Sequence, residues 1–311
     1  VSSSIKAALT SNAIIATMKS FMALFTGSAS MFAEAIHSWA DCGNQGLLLL
    51  GKSQSKKERE HFAFGAGKAI FFWSLVVALV LFFVGGVYSS YEGLHKIMHP
   101  EPLIEKQIWG DFNFVHLSII VLLISFFLEL YSFRIAAKEV NLTSFRPKAF
   151  FKKIKESTNA SVIVVLIEDS AAMIGLALAL VFTLLAYYVN PVFDGFGSLL
   201  IGVLLMFLSY KLTSEIYTLI IGENISREEI KEIKKIVQFY DNDIAHINFV
   251  KGMILGSNKK LIVVSVDLND ANTSGNRIED VLHEIRREIV EKIKGTTSRM
   301  IMIDVRDSTQ M

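Results

Sequence analysis

The segment from Thr26 to Gly51, TGSASMFAEAIHSWADCGNQGLLLLG, narrows the fold of this 311-residue chain more than any other stretch. It is mostly apolar and long enough to cross a hydrocarbon layer, which takes about 20 helical residues. Yet it carries Glu34, His37 and Asp41. A charge near the middle of such a span costs about 2.5–3.5 kcal/mol on insertion scales, so it is expected to face a partner or a water-filled path. His37 and Asp41 are four residues apart, which on a helix places them on one face, one turn apart. Together they offer a nitrogen and an oxygen to a borderline divalent metal such as zinc. The plainer alternative is that they bond each other or a neighbouring helix.

Composition agrees with a membrane chain. Hydrophobic residues make up 52% of the sequence, and the formal net charge of +1 suggests no polyanion partner. No basic patch with interleaved aromatics points to nucleic acid. The single cysteine, Cys42, excludes an intramolecular disulfide and any CxxC zinc site, and reads as a small packing residue. The chain opens on VSSSIK, without an initiator Met or a signal-peptide pattern, so either residues precede it or the Met is removed.

Six apolar spans are expected: Ile5–Phe25, Ser30–Gly51, Ala69–Tyr91, Phe114–Phe133, Ser157–Val189 and Val192–Ile221. The fifth is longer than a perpendicular crossing needs. The sixth is entered through Asn190-Pro191. Loop charges orient them. Lys52, Lys56, Lys57, Arg59 and Lys68 lie between spans two and three, and Lys138, Arg146, Lys148, Lys152, Lys153 and Lys155 between four and five. The loop between spans three and four holds Glu101, Glu105 and Asp111 against Lys106. The positive-inside rule then puts both termini on the cytoplasmic side of an integral, multi-pass membrane protein.

Beyond residue 222 the pattern changes, which divides the chain into a transmembrane domain, 1–222, and a cytoplasmic domain, 223–311. Ser226 with Glu229 forms a capping box opening a helix over Arg227–Phe239. Strands are expected at Ile244–Ile254 and Lys260–Leu268 around a turn at Gly256-Ser257-Asn258. A second helix over Arg277–Ile293 and a strand over Arg299–Val305 complete a small α+β unit of order αββαβ, ferredoxin-like in class. So small a unit buries little core alone, which favours pairing with a second copy.

Span five carries a second acidic feature, Glu168 and Asp169, side by side in apolar sequence. At 1.5 Å per residue, the His37/Asp41 midpoint lies roughly 13 Å below the outer end of span two. Asp169 lies roughly 18 Å up from the inner end of span five, about 12 Å below the outer edge of a 30 Å core. The two clusters therefore fall at one depth, as a shared site requires. Glu168 and Asp169 are about 100° apart on a helix, so one faces such a site more directly than the other. Alternatively the acids pair with Lys19 or Lys211. Glu34, one turn from His37 toward the outside, reads as an outer-vestibule residue or a solvated rim. Glu129 reads as a partner of Arg134, and His61 as a metal-entry residue or a solvated loop histidine.

Taken together, GSASMFAEAIHSWADCGNQ in span two, HFAFGAGKAIFFWSL opening span three, SYKLTSEIYTLIIGE ending span six and the αββαβ tail resemble the cation diffusion facilitator family of divalent-metal/proton antiporters. The resemblance covers nearly the whole chain. It implies a metal site of His37, Asp41 and Asp169, alternating access, and a homodimer joined partly through the cytoplasmic domains. It implies no resident cofactor, the metal being cargo. Where the family usually carries His or Asp four residues before the span-five Asp, this chain has Val165. Glu168 is the obvious substitute, and the Glu-Asp pair resembles the branch containing the mitochondrial and nuclear-associated zinc transporter relatives. Asn12, Asn44 and Glu34 are weaker candidates for the fourth position. The tail departs from the many relatives that bind regulatory metal there through several His and Asp residues: its only histidines are His246 and His283, which read as surface or packing residues rather than ligands, and Asp267 sits near where a histidine often falls.

The expected activity is efflux of a divalent cation, zinc first, against protons. Fe²⁺, Co²⁺ or Mn²⁺ as main substrate, a metal-gated channel, and a non-transporting partner on the same fold are the alternatives. An intramembrane metalloenzyme is disfavoured because HExxH and comparable motifs are absent.

Overall fold

A computed structural model gives the fold. It describes residues 2–54, 62–139, 160–240, 242–256, 259–270 and 273–306, the side chains of 2–8, 11, 44–45, 48–54, 136, 139 and 160–168 excepted. The described chain divides into two compact units, one of residues 1–46 and 74–214 and the other of 47–73 and 215–311.

The first unit is helical. Helix α1 (Ser2–Thr26) and α2 (Ala29–Gln54) are joined by Gly27-Ser28, with Gly27 at a φ of 65° that suits glycine. Helix α3 (Ala66–Met98) begins with a tight turn, Ala66–Lys68, and widens to π geometry over Leu81–Tyr88. Helices α4 (Phe114–Glu139), α5 (Ala160–Tyr188) and α6 (Val192–Ile221) follow. A short hairpin of β1 (Gln107–Trp109) and β2 (Phe112–Asn113) precedes α4. The Asn190 side chain accepts from Val192 N at 3.0 Å and so caps the start of α6.

Among the described residues, four segments are long and apolar enough to cross a membrane: Ala66–Met98, Phe114–Ile135, Asp169–Tyr188 and Val192–Ile221. The apolar part of α1, Asn12–Thr26, is shorter among the described residues. Their common core takes Met22 from α1, Met31 from α2, Leu81 from α3, Leu122 from α4, Leu176 from α5 and Leu205 from α6. Outside it, many large apolar side chains are exposed, among them Phe72, Phe83, Phe127 and Phe207. Such an apolar exterior is what a lipid-facing surface requires.

Helices α3 and α6 touch through small residues. A Cβ on Gly93 would stand 2.6 Å from Leu199 N and 2.7 Å from Gly195 O, so only glycine admits this approach. Ser198 and Ser209 bind α3 carbonyls, those of Ser89 and Ala78.

The second unit carries the sheet. Helix α7 (Arg227–Gln238) opens with the expected capping box: Glu229 N donates to Ser226 Oγ and Ser226 N to the Glu229 carboxylate, both at 3.2 Å. Strands β3 (Ile244–Gly256) and β4 (Lys259–Leu268) are antiparallel, and β5 (Ile301–Arg306) runs parallel to β4, giving the order β3-β4-β5. Helix α8 (Gly275–Lys292) lies between β4 and β5 in sequence. Ile262, Val264 and Val266 of β4 meet Ile233, Ile236, Ile285 and Ile289 of the two helices in one core. The αββαβ order matches expectation. The last strand starts later than expected because Ser298–Met300 form a single 3₁₀ turn. The residues between β3 and β4, 257–258, lie outside the described residues.

Candidate functional site

Helix α2 presents His37 to the interior of the helical unit. Its side chain is 4% exposed, and neither ring nitrogen has a hydrogen-bond partner. Nε2 lies 3.7 Å from Asp41 Oδ2, one turn on, too far for a hydrogen bond but close enough for both to meet a third atom. Asp41 is half-buried. An imidazole this buried ordinarily satisfies at least one nitrogen, so His37 is an orphan that needs explanation.

Helix α5 brings Asp169, whose Oδ2 accepts from Ser132 Oγ of α4 at 3.0 Å. Asp169 feels the charge of Asp41 across the helices. One turn before Ser132 stands Glu129, whose electrostatic neighbours are Asp41, Asp169, His37 and Lys19. Arg134, the partner expected from sequence, is exposed. Among the described residues no ion pair joins it to Glu129, on which the charges of Asp41 and Asp169 act.

Lys19 of α1 is 2% exposed and donates to Glu34 Oε2 at 3.1 Å and to Ser38 Oγ at 2.9 Å. Glu34 is therefore neither a vestibule residue nor a solvated rim. It is 1% exposed and ion-paired inside the unit. Its second oxygen lies over Gly175 of α5, where any side chain would place a Cβ 2.5 Å from Oε1. Lys19 is thereby committed to Glu34, and among the described residues it makes no ion pair with Asp169. Asn12 is half-buried on α1. The side chains of Glu168 and Asn44, and all of His61, lie outside the described residues.

The structure thus brings His37 and Asp41 side by side and sets Asp169 and Glu129 in the same electrostatic neighbourhood. Among the described residues no three His, Cys, Asp or Glu side chains close into a cage for an ion. In the second unit, His246 is exposed and stands opposite Asp267 in the β3–β4 register. Asp267 is held by Asn248, whose Nδ2 donates to it at 2.7 Å. His283 is exposed on α8.

A second polar knot sits where α1 turns into α2. Asp194 of α6 is 0% exposed and accepts from Ser28 Oγ at 2.7 Å, Ala29 N at 2.8 Å and Ser30 N at 3.2 Å. Lys96 of α3 donates to Asp194 at 2.9 Å and also to the Gly27 carbonyl. Sequence reading missed this knot. Its only signal was an acid just inside the start of an apolar span, Asp194, and a lysine at the end of another, Lys96.

Apolar helices with ionisable groups turned inward define a multi-helix membrane protein that handles ions. Residues 5–221 match the family model described as the cation efflux transmembrane domain. The chain therefore belongs to the cation efflux family, the cation diffusion facilitators, and is an integral membrane protein carrying that family's transmembrane domain. It is 32% identical over 250 residues to the human proton-coupled zinc antiporter SLC30A9, mitochondrial, covering 79% of this chain and 42% of that protein. It is 25% identical over 266 residues to metal tolerance protein C4 of Arabidopsis thaliana, covering 84% of this chain and 56% of that protein. A shorter match, 33% over 96 residues, links 29% of it to 30% of the magnetosome protein MamM of Paramagnetospirillum magneticum. The chain spans less than half the length of its human relative, at 42%.

Proposed function

We propose that this protein moves a divalent cation, zinc by preference, out of the cytoplasm in exchange for protons by alternating access. In this reading α1 and α2 also cross the membrane, making six spans, and both termini lie on the cytoplasmic side. The α+β unit is ferredoxin-like and joins two copies into a homodimer. His37, Asp41 and Asp169 bind the ion, with Glu168 as the fourth donor from α5.

The observation that carries this reading is His37, buried, unpartnered and turned toward Asp41. One imidazole and two or three carboxylates suit Zn²⁺ and are acceptable to Fe²⁺, Co²⁺ and Mn²⁺. Ligands must be deprotonated to bind, so metal entry releases protons and protons compete for the empty site. The human relative's name, a proton-coupled zinc antiporter, supports both the cation and the coupling.

The test is uptake of Zn²⁺, Co²⁺, Fe²⁺ and Mn²⁺ into proteoliposomes under a pH gradient. Wild type is compared with Asp41→Ala, Asp169→Asn and Glu168→Gln. Asp41→Ala and Asp169→Asn abolish flux and Glu168→Gln alters metal preference if the reading holds. Unsaturable flux indifferent to the gradient would instead indicate a channel. Intact metal binding without flux would indicate a non-transporting partner.

A further inference from the structure

We propose that Glu129 of α4 is a cation-binding carboxylate of the transport site, so that three helices rather than two hold the ion. This rests on the reading that His37 and Asp41 of α2 and Asp169 of α5 bind the transported cation.

Position is the first argument. Residues three apart on a helix share a face, so Glu129 and Ser132 lie on one side of α4. Ser132 Oγ donates to Asp169 Oδ2 at 3.0 Å, so the face carrying Glu129 is the one turned to Asp169 of α5. The charges that act on Glu129 there are those of Asp41 and His37 of α2, Asp169 of α5 and Lys19 of α1.

Charge balance is the second. Lys19 is the one base among those neighbours, and it is taken up by Glu34 and Ser38. Among the described residues no cation pairs with Glu129, Asp41 or Asp169, apart from the charge His37 would carry if protonated. When ionised, these three carboxylates carry negative charge that no base among the described residues offsets, so they either take up protons or bind a cation. A divalent cation offsets most of it, and buried charges are tolerated when paired or bound to metal.

The third argument is independent of the acids. His37, 4% exposed and lacking a partner on either nitrogen, is aimed into this region beside Asp41. A neutral imidazole lone pair adds no attraction for an anion among three carboxylates. It does add a ligand for a transition-metal cation. Nitrogen and oxygen donors around one region select a divalent metal of borderline softness. Among the described residues these side chains do not close into a cage, and Glu129 has the longest stem of the three acids.

The deciding experiment measures equilibrium Zn²⁺ and Mn²⁺ binding to the full chain in detergent by isothermal titration calorimetry, with the melting midpoint recorded for each protein. Wild type, Asp41→Asn, Glu129→Gln and Glu129→His are compared. Groups that merely support metal ligands are worth about 10–100-fold in affinity, so loss of a ligand at 129 is expected to weaken Zn²⁺ by about 100-fold. Glu129→Gln shows that loss with an unchanged melting midpoint. Glu129→His, which trades oxygen for nitrogen, restores Zn²⁺ and raises the Zn²⁺-to-Mn²⁺ affinity ratio above wild type. If Asp41→Asn removes the tight site while Glu129→Gln binds like wild type, Glu129 is no ligand and the function proposed above still stands. If Asp41→Asn itself binds normally, that underlying reading fails and this one with it. Should Glu129→Gln not fold, Glu129→His decides: a shifted ratio supports the assignment and an unshifted one overturns it.

Discussion

Replacing Asp194 by Asn is expected to destabilise the helical unit more than any other single substitution of its buried polar residues. Four donors converge on this carboxylate: the Ser28 hydroxyl, the Ala29 and Ser30 amides and the Lys96 ammonium, at 2.7–3.2 Å. The two amides are the first free N–H groups of α2, where the helix dipole favours a negative charge by about 0.3–1 kcal/mol, more when buried. Asn keeps the shape but removes the charge, and turns an amide N–H₂ toward at least one of the donors. Lys96 is then left as a buried cation without a counter-ion, a change that costs about 3–5 kcal/mol. The double variant Asp194→Asn/Lys96→Met removes the orphan and should recover about 2 kcal/mol or more of the summed loss. The assay is unfolding of the purified protein in mixed micelles against denaturing detergent, followed by circular dichroism as a double-mutant cycle. Because the knot anchors the end of α2 that leads to His37, metal binding should weaken in parallel. Single variants within about 0.5 kcal/mol of wild type, the range of surface substitutions, would refute the reasoning. So would additive losses.

Three further outcomes follow from other contacts. Gly175→Leu should displace the Glu34 carboxylate from its bond with Lys19 and cost about 1–3 kcal/mol by overpacking, read in the same unfolding assay. Ser226→Ala, which removes one half of the capping box on α7, should cost about 1 kcal/mol. Tyr240 donates to Glu288 at 2.9 Å, and burial followed by this bond and the charge of Glu288 pushes its phenol up to about 12 from 10.0. A raised phenol value means the folded state favours the protonated form. That contribution to stability is complete below pH 10 and is lost as pH rises through about 12. Glu288→Gln should bring the phenol back toward its ordinary value, seen in the ultraviolet difference titration between each protein and its Tyr240→Phe counterpart. An unchanged midpoint would show that Glu288 does not hold it.

What the sequence made legible is what depends on local pattern. Apolar run length marked the long helices, Ser226 and Glu229 marked the start of α7, and alternation with turn residues marked β3 and β4. Four-residue spacing placed His37 beside Asp41. Counting rise per residue put Asp169 at the depth of Asp41. What the sequence hid depends on which helix faces which. Glu129 looked nearest to Arg134 along the chain, but the face of α4 that carries it turns to α5. Glu34 looked like a rim residue until Lys19, fifteen residues earlier on α1, was brought against it. The Asp194 knot draws on α2, α3 and α6 at once, which no window of sequence contains. Helix α3 runs past its apolar stretch to Met98 because Gly93, a weak helix former, is held against α6 by close backbone packing.

The central claim is coupled exchange at the His37–Asp41 pair. The most direct measurement records zinc entry and internal pH together in the same proteoliposomes, using one dye for each, for wild type and Asp41→Ala. The account predicts saturable Zn²⁺ entry accompanied by proton movement in the opposite direction in wild type, and neither signal in Asp41→Ala. Zinc entry without opposing proton movement in leak-controlled vesicles, or equal fluxes in both proteins, would contradict it.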